Sequence, residues 1–430
     1  MAISMWTLIA AVVVAVAVAA NAQPVSRLAP YTATITAGKT SAPLVVLKTQ
    51  NYIVSLEGNP CAITIRHLFS SKVAHLLWTS AYHYSSIIPL NANTCTLKLT
   101  SGGNLQLIAL TRGFPTTVWT SLSTGMGIVK MALENKFDSG ELQLLTAGNV
   151  IKYSSFQEKE FALLPRQKIS ANTQTLVAPD KFFAKDNPQI LFSGHRYTMM
   201  LVSGDLILYS TFKQIGKQYW SLKKTLAKNV DIRLVASASI VPSVGGIGLY
   251  KLDGTLLWTF GKISIGSSNP HDTYLSVDPD GNLRTYVLVK GQFWRKDFEA
   301  ITNVCDLPDA CGPYGVCNNG RCSCLPSWVP IDSKDSKKGC KTQAPMKTCS
   351  SGKQTFRSYS GYDQVYNKYD WRGLKISKAE CESRCYGRQP TCGDCSAYFY
   401  DDNTKMCYLT NEVRTLRKVT DLKKTVNVKV

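Results

Sequence analysis

The sequence is 430 residues long, enough for two to four domains at roughly 100–200 residues each. Its 44% apolar content excludes wholesale disorder, and 49 Lys and Arg against 29 Asp and Glu give a net charge of +20 that favours acidic partners. Of fourteen cysteines, two (Cys61, Cys95) lie in the first 304 residues and twelve in the last 126, so a large cysteine-poor region precedes a small disulfide-dense one.

The chain opens with an apolar run of 15 at residues 6–20, short for a membrane span and of the length of a signal-peptide core. Ala20-Asn21-Ala22 before Gln23 is a small-x-small cleavage site, although the preceding segment lacks a Lys or Arg. The expectation is a signal peptide over 1–22, not an anchor, and a secreted mature chain with no membrane span after cleavage. Secretion reads the cysteines as disulfides and not as zinc ligands. It also argues against nucleic acid as a partner, leaving polysaccharide, anionic lipid or protein. The sequence holds no Asn-x-Ser/Thr glycosylation site.

From there to about residue 303, short alternating runs such as 62–69, 95–100 and 205–209 are bounded by turn residues such as Ser101-Gly102-Gly103-Asn104 and Asp280-Gly281. No long segment keeps a helical period, so the region reads as all-β. Four windows share a turn, a small polar residue and an apolar strand: 101–109, 146–154, 202–210 and 278–286. Their irregular spacing excludes a solenoid and fits two copies of a hairpin-rich module. Trp78, Trp119, Trp220 and Trp258 punctuate these runs, as core residues or, with an exposed face, as sugar platforms. His67, His75 and His83 recur every eight residues. Eight residues of strand span about 26 Å, so they share no ion unless hairpins fold them together.

Cys305, Cys311, Cys317, Cys322, Cys324 and Cys340 come next, and six cysteines admit fifteen pairings. In the last segment Ser377 to Glu380 is a capping box and Gly387 a helix stop. Cys381 and Cys385, four apart, share one helix face. Residues 392–400 and 406–409 supply strands. No Gly-x-Ser-x-Gly elbow or phosphate loop occurs, and the turn setting of Asp278 and Asp280 argues against a glycosidase pair. The expectation is no enzyme, catalytic residue, cofactor or metal.

Residues 101–108, 116–121 and 151–167 resemble the strand-turn-Trp-strand run of the plant bulb-type (G-type) lectin domain. Residues 275–288 and 293–324 resemble the S-locus glycoprotein group. The resemblance implies a mainly β chain: two tandem β-prism II modules over 23–167 and 168–303, an EGF-like module over 304–341 and an α+β PAN/apple module over 342–430. It implies the pairs Cys305–Cys317, Cys311–Cys322, Cys324–Cys340, Cys381–Cys407 and Cys385–Cys395, with Cys349–Cys392 left over and Cys61–Cys95 in the first prism. Many relatives continue into a membrane span and kinase, and the layout is nearest to the secreted, kinase-free members.

The lectin family binds mannose through Gln-x-Asp-x-Asn-x-Val-x-Tyr, whose alternation puts all five side chains on one strand face. The best copy here is Asp278, Asp280, Asn282, Arg284 and Tyr286, where Asp278 replaces the Gln and Arg284 takes the apolar floor. The copies from Leu201, Leu145 and Thr100 keep less. Either the Asp280/Asn282/Tyr286 strand binds a glycan, or the sites are degenerate, Asn and Asp survive as turn residues, and the lectin-like and PAN modules bind a protein or peptide. A decoy for receptor pairing is a form of the second reading. Basic runs at Lys213, Lys217, Lys223, Lys224 and Lys228, and at Arg414, Arg417, Lys418, Lys423, Lys424 and Lys429, are either a solvated surface or a means of retention on acidic polysaccharide of the apoplast or cell wall.

Overall fold

The computed structural model describes residues 26–36, 42–58, 61–68, 74–80, 92–134, 140–157, 159–160, 162–165, 167–170, 175–177, 197–210, 216–225, 230–241, 246–261, 273–289, 293–343, 355–370, 372–386 and 395–430. The expected signal peptide, His83, Lys213, Lys228 and the Cys349–Cys392 pair lie outside them.

The chain is mainly β. Three four-stranded antiparallel sheets form a first prism. One joins Ser26–Leu28 to Ile128–Leu133, Leu142–Thr146 and Ile151–Ser154; a second holds Tyr31–Thr36, Thr94–Leu99, Leu105–Thr111 and Phe114–Thr120. The third is Leu44–Lys48, Tyr52–Gly58, Cys61–Leu68 and Ala74–Thr79. Strand alternation selects the inward residues: along Thr94–Leu99, Cys95, Leu97 and Leu99 are buried while their neighbours are not. Each sheet sends one aromatic residue to the centre. Trp119 meets Trp78 edge-on at 5.9 Å and Tyr153 at 6.0 Å. Cys61–Cys95 ties the third sheet to the second.

A second prism repeats the plan with one five-stranded and two four-stranded sheets. Strands Lys159–Glu160 and Ala162–Leu163, ahead of the expected junction at residue 167, are already hydrogen-bonded into it, against Thr175–Val177 and Thr273–Val277. Its core includes Trp220, Tyr197, Tyr219 and Leu283, and extends to Leu307, Val365, Tyr366 and Tyr369 from later in the chain.

The cysteine-rich segment has little apolar core, so its bridges, at roughly 2–4 kcal/mol each, hold it together. Cys305–Cys317, Cys311–Cys322 and Cys324–Cys340 are formed. Beyond it, helix Lys378–Tyr386 starts where Ser377 Oγ accepts the Glu380 N–H at 3.2 Å. Its buried Cys381 and Cys385 are bonded to Cys407 in strand Met406–Thr410 and to Cys395 just ahead of strand Ala397–Asp401. That five-stranded sheet runs Phe356–Ser360, Lys424–Lys429, Ala397–Asp401, Met406–Thr410, Leu374–Lys375. A separate sheet mixes the segments: Gly315–Asn318 pairs in parallel with Leu416–Lys418, Val316 opposite Leu416.

Polar contacts stitch the second prism to the C-terminal modules. Tyr197 donates its hydroxyl to Asp309, which also pairs with Arg414 at 3.2 Å, so one carboxylate joins three segments. Burial first, and then Asp309, push the Tyr197 phenol up, which keeps it a donor. Arg417 reaches Asp306 at 2.6 Å and Lys424 reaches Asp363 at 3.1 Å. Three of the C-terminal basic residues are therefore committed to ion pairs within the fold.

Candidate carbohydrate site

In the second prism Asp278 to Asn282 form the turn between strands Thr273–Val277 and Leu283–Val289. The Asp278 N–H donates to the Asn282 carbonyl at 2.8 Å, and Asp280 Oδ1 accepts the Asn282 N–H at 3.0 Å. Gly281 has φ 88° with the Tyr197 ring against it, so a side chain there would meet both strain and contact.

The turn then parts the motif residues, which pleating alone would leave on one face, because Asn282 precedes the strand that begins at Leu283. Asp278, Asp280 and Tyr286 gather around Arg284. Arg284 Nη1 donates to Asp278 at 2.7 Å and to Asp280 at 2.8 Å, Nη2 to Asp280 at 2.7 Å, and Nε to Glu299 at 3.3 Å. Asp278 also accepts from Tyr286 Oη at 2.5 Å and Ser276 Oγ at 2.9 Å. The Tyr286 ring stacks on Tyr274 at 5.0 Å, and Trp294 closes edge-on against Tyr274 at 4.7 Å. Asn282 takes no part in this cluster. It is 1% exposed, donating to the Ile301 carbonyl at 2.7 Å and accepting the Ile301 N–H at 3.0 Å. It fastens the turn to the segment that follows strand Phe293–Glu299.

The electrostatics follow from these contacts. Burial alone would raise the Asp280 carboxyl, but the Arg284 guanidinium and the Asn282 N–H hold it below its ordinary value. Burial, reinforced by Asp278, pushes the Tyr286 phenol up, so it stays a neutral donor. A sugar needs free amide, carboxylate and hydroxyl groups around an apolar floor. Here the carboxylates already accept guanidinium and hydroxyl donors, and the floor position carries a cation.

The other copies also serve the fold. Asn104 Oδ1 accepts from Thr120 Oγ1, Ser121 Oγ and the Ser123 N–H at 3.0, 3.1 and 3.2 Å. Asp205 accepts from Ser221 Oγ at 2.5 Å and the Lys223 N–H at 2.9 Å. Asn149, at φ 62°, accepts from Lys130 Nζ at 2.6 Å. A further hairpin that the four windows missed turns at Asp253-Gly254, where Asp253 accepts the Thr255 N–H at 2.8 Å ahead of Trp258. Its signal was the Asp-Gly pair before a Leu-Leu-Trp run. Trp78, Trp119 and Trp220 are buried and offer no sugar platform. His67 and His75 sit opposite each other across a hairpin, yet among the described residues no three His, Cys, Asp or Glu gather as a metal set.

Comparison with known proteins agrees with the resemblance read from the sequence. Residues 260–332 match the S-locus glycoprotein domain. A PAN domain-containing protein of Arabidopsis thaliana is 27% identical over 66% of this chain and 55% of its own length. EP1-like glycoprotein 4 of Arabidopsis thaliana is 23% identical over 84% of this chain and 80% of its own. A G-type lectin S-receptor-like serine/threonine-protein kinase of the same plant is 30% identical over 59% of this chain but only 28% of its own length. The chain thus spans about half of the first of these relatives and a smaller part of the kinase. The chain is similar to S-locus glycoprotein, EP1-like glycoprotein and G-type lectin receptor proteins, with residues 260–332 the part that matches the S-locus glycoprotein domain.

Proposed function

We propose that the chain is an extracellular recognition protein of the plant apoplast or cell wall that binds a protein or peptide partner through its lectin-like and PAN modules. The observation that carries this reading is Arg284. It occupies the place of the apolar floor and spends the Asp278 and Asp280 carboxylates that a mannose-type ligand would use. Support also comes from Asn282, whose amide is consumed by Ile301. The division into two prisms, an EGF-like segment and a PAN segment is part of the same proposal. So are the roles of Asp278, Asp280, Asn282 and Tyr286 as remnants of a sugar site.

The test is an array of neutral mannosides and acidic pectic fragments at low and physiological salt, beside a panel of extracellular peptides, with the purified chain and Arg284→Val. The expected result is no saturable mannoside binding by the native chain, pectin binding that fades with salt, and selective peptide binding. Salt-insensitive binding of one neutral glycan by the native chain, lost in Arg284→Val, would overturn the proposal and make this a lectin.

A further inference from the structure

Between strands Asp205–Ser210 and Lys217–Ser221 of the second prism and the PAN residues around 366–374 and 409–414 lies a cavity of about 360 Å³. It adjoins a second of about 290 Å³ that shares Lys217, Tyr366, Asp370, Arg372 and Leu409 with it. Together they form one crevice of ligand-binding size, built where two modules meet.

Its charges are unevenly matched. Arg372 is held by Asp370 at 3.1 Å, and Arg414 by Glu412 at 2.7 Å and by Asp309. Those pairs use the carboxylates nearest the crevice. Among the described residues Lys217 Nζ makes one hydrogen bond, to the neutral Thr410 Oγ1 at 2.8 Å, and lies 5.6 Å from the centre of the Tyr366 ring. Among the described residues it is in no ion pair. Asp370 and Glu412 act on it only from beyond pairing distance; an ammonium has three donors, and one withdrawn from water while those carboxylates are paired elsewhere is costly to the fold. Burial accordingly lowers the Lys217 pKa. Leu374 and Leu409 give the crevice an aliphatic wall, while Tyr366 is 5% exposed and shows no ring face for a sugar to stack on.

We propose that this crevice binds an acidic peptide, with a carboxylate seated on Lys217 Nζ and a neighbouring apolar side chain lying against Leu374 and Leu409. The proposal rests on the peptide-recognition reading of the whole chain and gives it a location. A uronate chain carries hydroxyls on every side and would find the acceptors Asp370 and Glu412 already occupied. A peptide with one acidic and one apolar group matches the ammonium and the leucine wall.

The experiment titrates the full chain with N-acetyl-Leu-Asp, its isosteric amide N-acetyl-Leu-Asn and trigalacturonate, and repeats this with Lys217→Met and Leu409→Glu. The expected result is that the acid binds at least about tenfold more tightly than the amide, as charge-assisted hydrogen bonds allow. Both variants should abolish that preference. Leu409 lies at the rim, 36% exposed, so Leu409→Glu repels the anion without disturbing the core and keeps the test valid if Lys217→Met misfolds. Equal binding of acid and amide, or no saturation by about 10 mM of either, overturns the site. Lys217-dependent binding of trigalacturonate alone overturns the peptide class. Selective peptide binding that persists undiminished in both variants overturns the crevice while leaving the peptide-recognition reading in place.

Discussion

The first prism centres three sheets on Trp78, Trp119 and Tyr153, one aromatic from each, and its core takes in only Ala162, Leu164 and Tyr274 from the second, whereas the second shares its core with Leu307, Val365, Tyr366 and Tyr369 from the cysteine-rich half of the chain. One architecture thus serves two purposes. The first copy has its own aromatic centre and a single disulfide, and meets the second through Tyr274, Tyr286 and Trp294. The other is completed by its neighbours, and the seam is polar: Tyr197 and Arg414 converge on Asp309, and Lys217 and Lys224 donate to Thr410 and the Lys368 carbonyl. A module centred on its own aromatics meets its neighbour at one edge of its core. One that shares its core becomes part of a larger rigid body, and its surface value shifts from its own loops to the seam.

This contrast predicts two thermal transitions that mutations move separately. The largest effect belongs to Trp78→Ala, which removes a fully buried side chain from the aromatic centre of the first prism and should cost about 4 kcal/mol. In calorimetry the first prism's transition should fall and the other stay; a single transition moved as a whole would erase the distinction. Arg414→Ala comes next. It strips a nearly buried cation from Asp309 and Glu412 and should cost about 3 kcal/mol, read in the second transition alone and as faster proteolysis near residue 309. The smallest effect is acid sensitivity. Asp280 titrates lower in the folded chain than its ordinary value of 3.8, so its contribution is full above that value and is lost as pH falls below it. Because the side chain is 44% exposed, the loss should stay under about 1 kcal/mol. Melts between pH 5 and pH 3 should show this loss in the native chain and not in Arg284→Leu; an equal loss in both would place the effect elsewhere.

Much of the fold was legible because its determinants are local. Alternation along 94–99, the Ser377–Glu380 cap and the turn residues of 101–104 or 278–282 each act within a few neighbours, so one stretch of sequence contains cause and effect. The site was legible only in part. Asp278, Asp280, Arg284 and Tyr286 could be read onto one strand face. That Arg284 would be held by the two carboxylates, and Asn282 turned inward to Ile301, depends on turn geometry and burial that spacing alone leaves open. The basic residues at 414–424 were hardest to read. Along the chain they look like an unopposed run, yet Arg414, Arg417 and Lys424 find Asp309, Asp306 and Asp363 from far upstream. Charge counted along a sequence overstates charge available on a surface when the partners are distant.

The parallel pairing of Val316 with Leu416 has a consequence for biosynthesis. The strand Gly315–Asn318 leaves the ribosome about a hundred residues before the strand that will cover its edge. At roughly 5–20 residues per second, that edge stays uncovered for about 5–20 s. An open edge is a template for joining other chains, so this interval is when the nascent protein most needs a chaperone. A slowed ribosome between those two strands should raise aggregation more than an equal delay within the first prism.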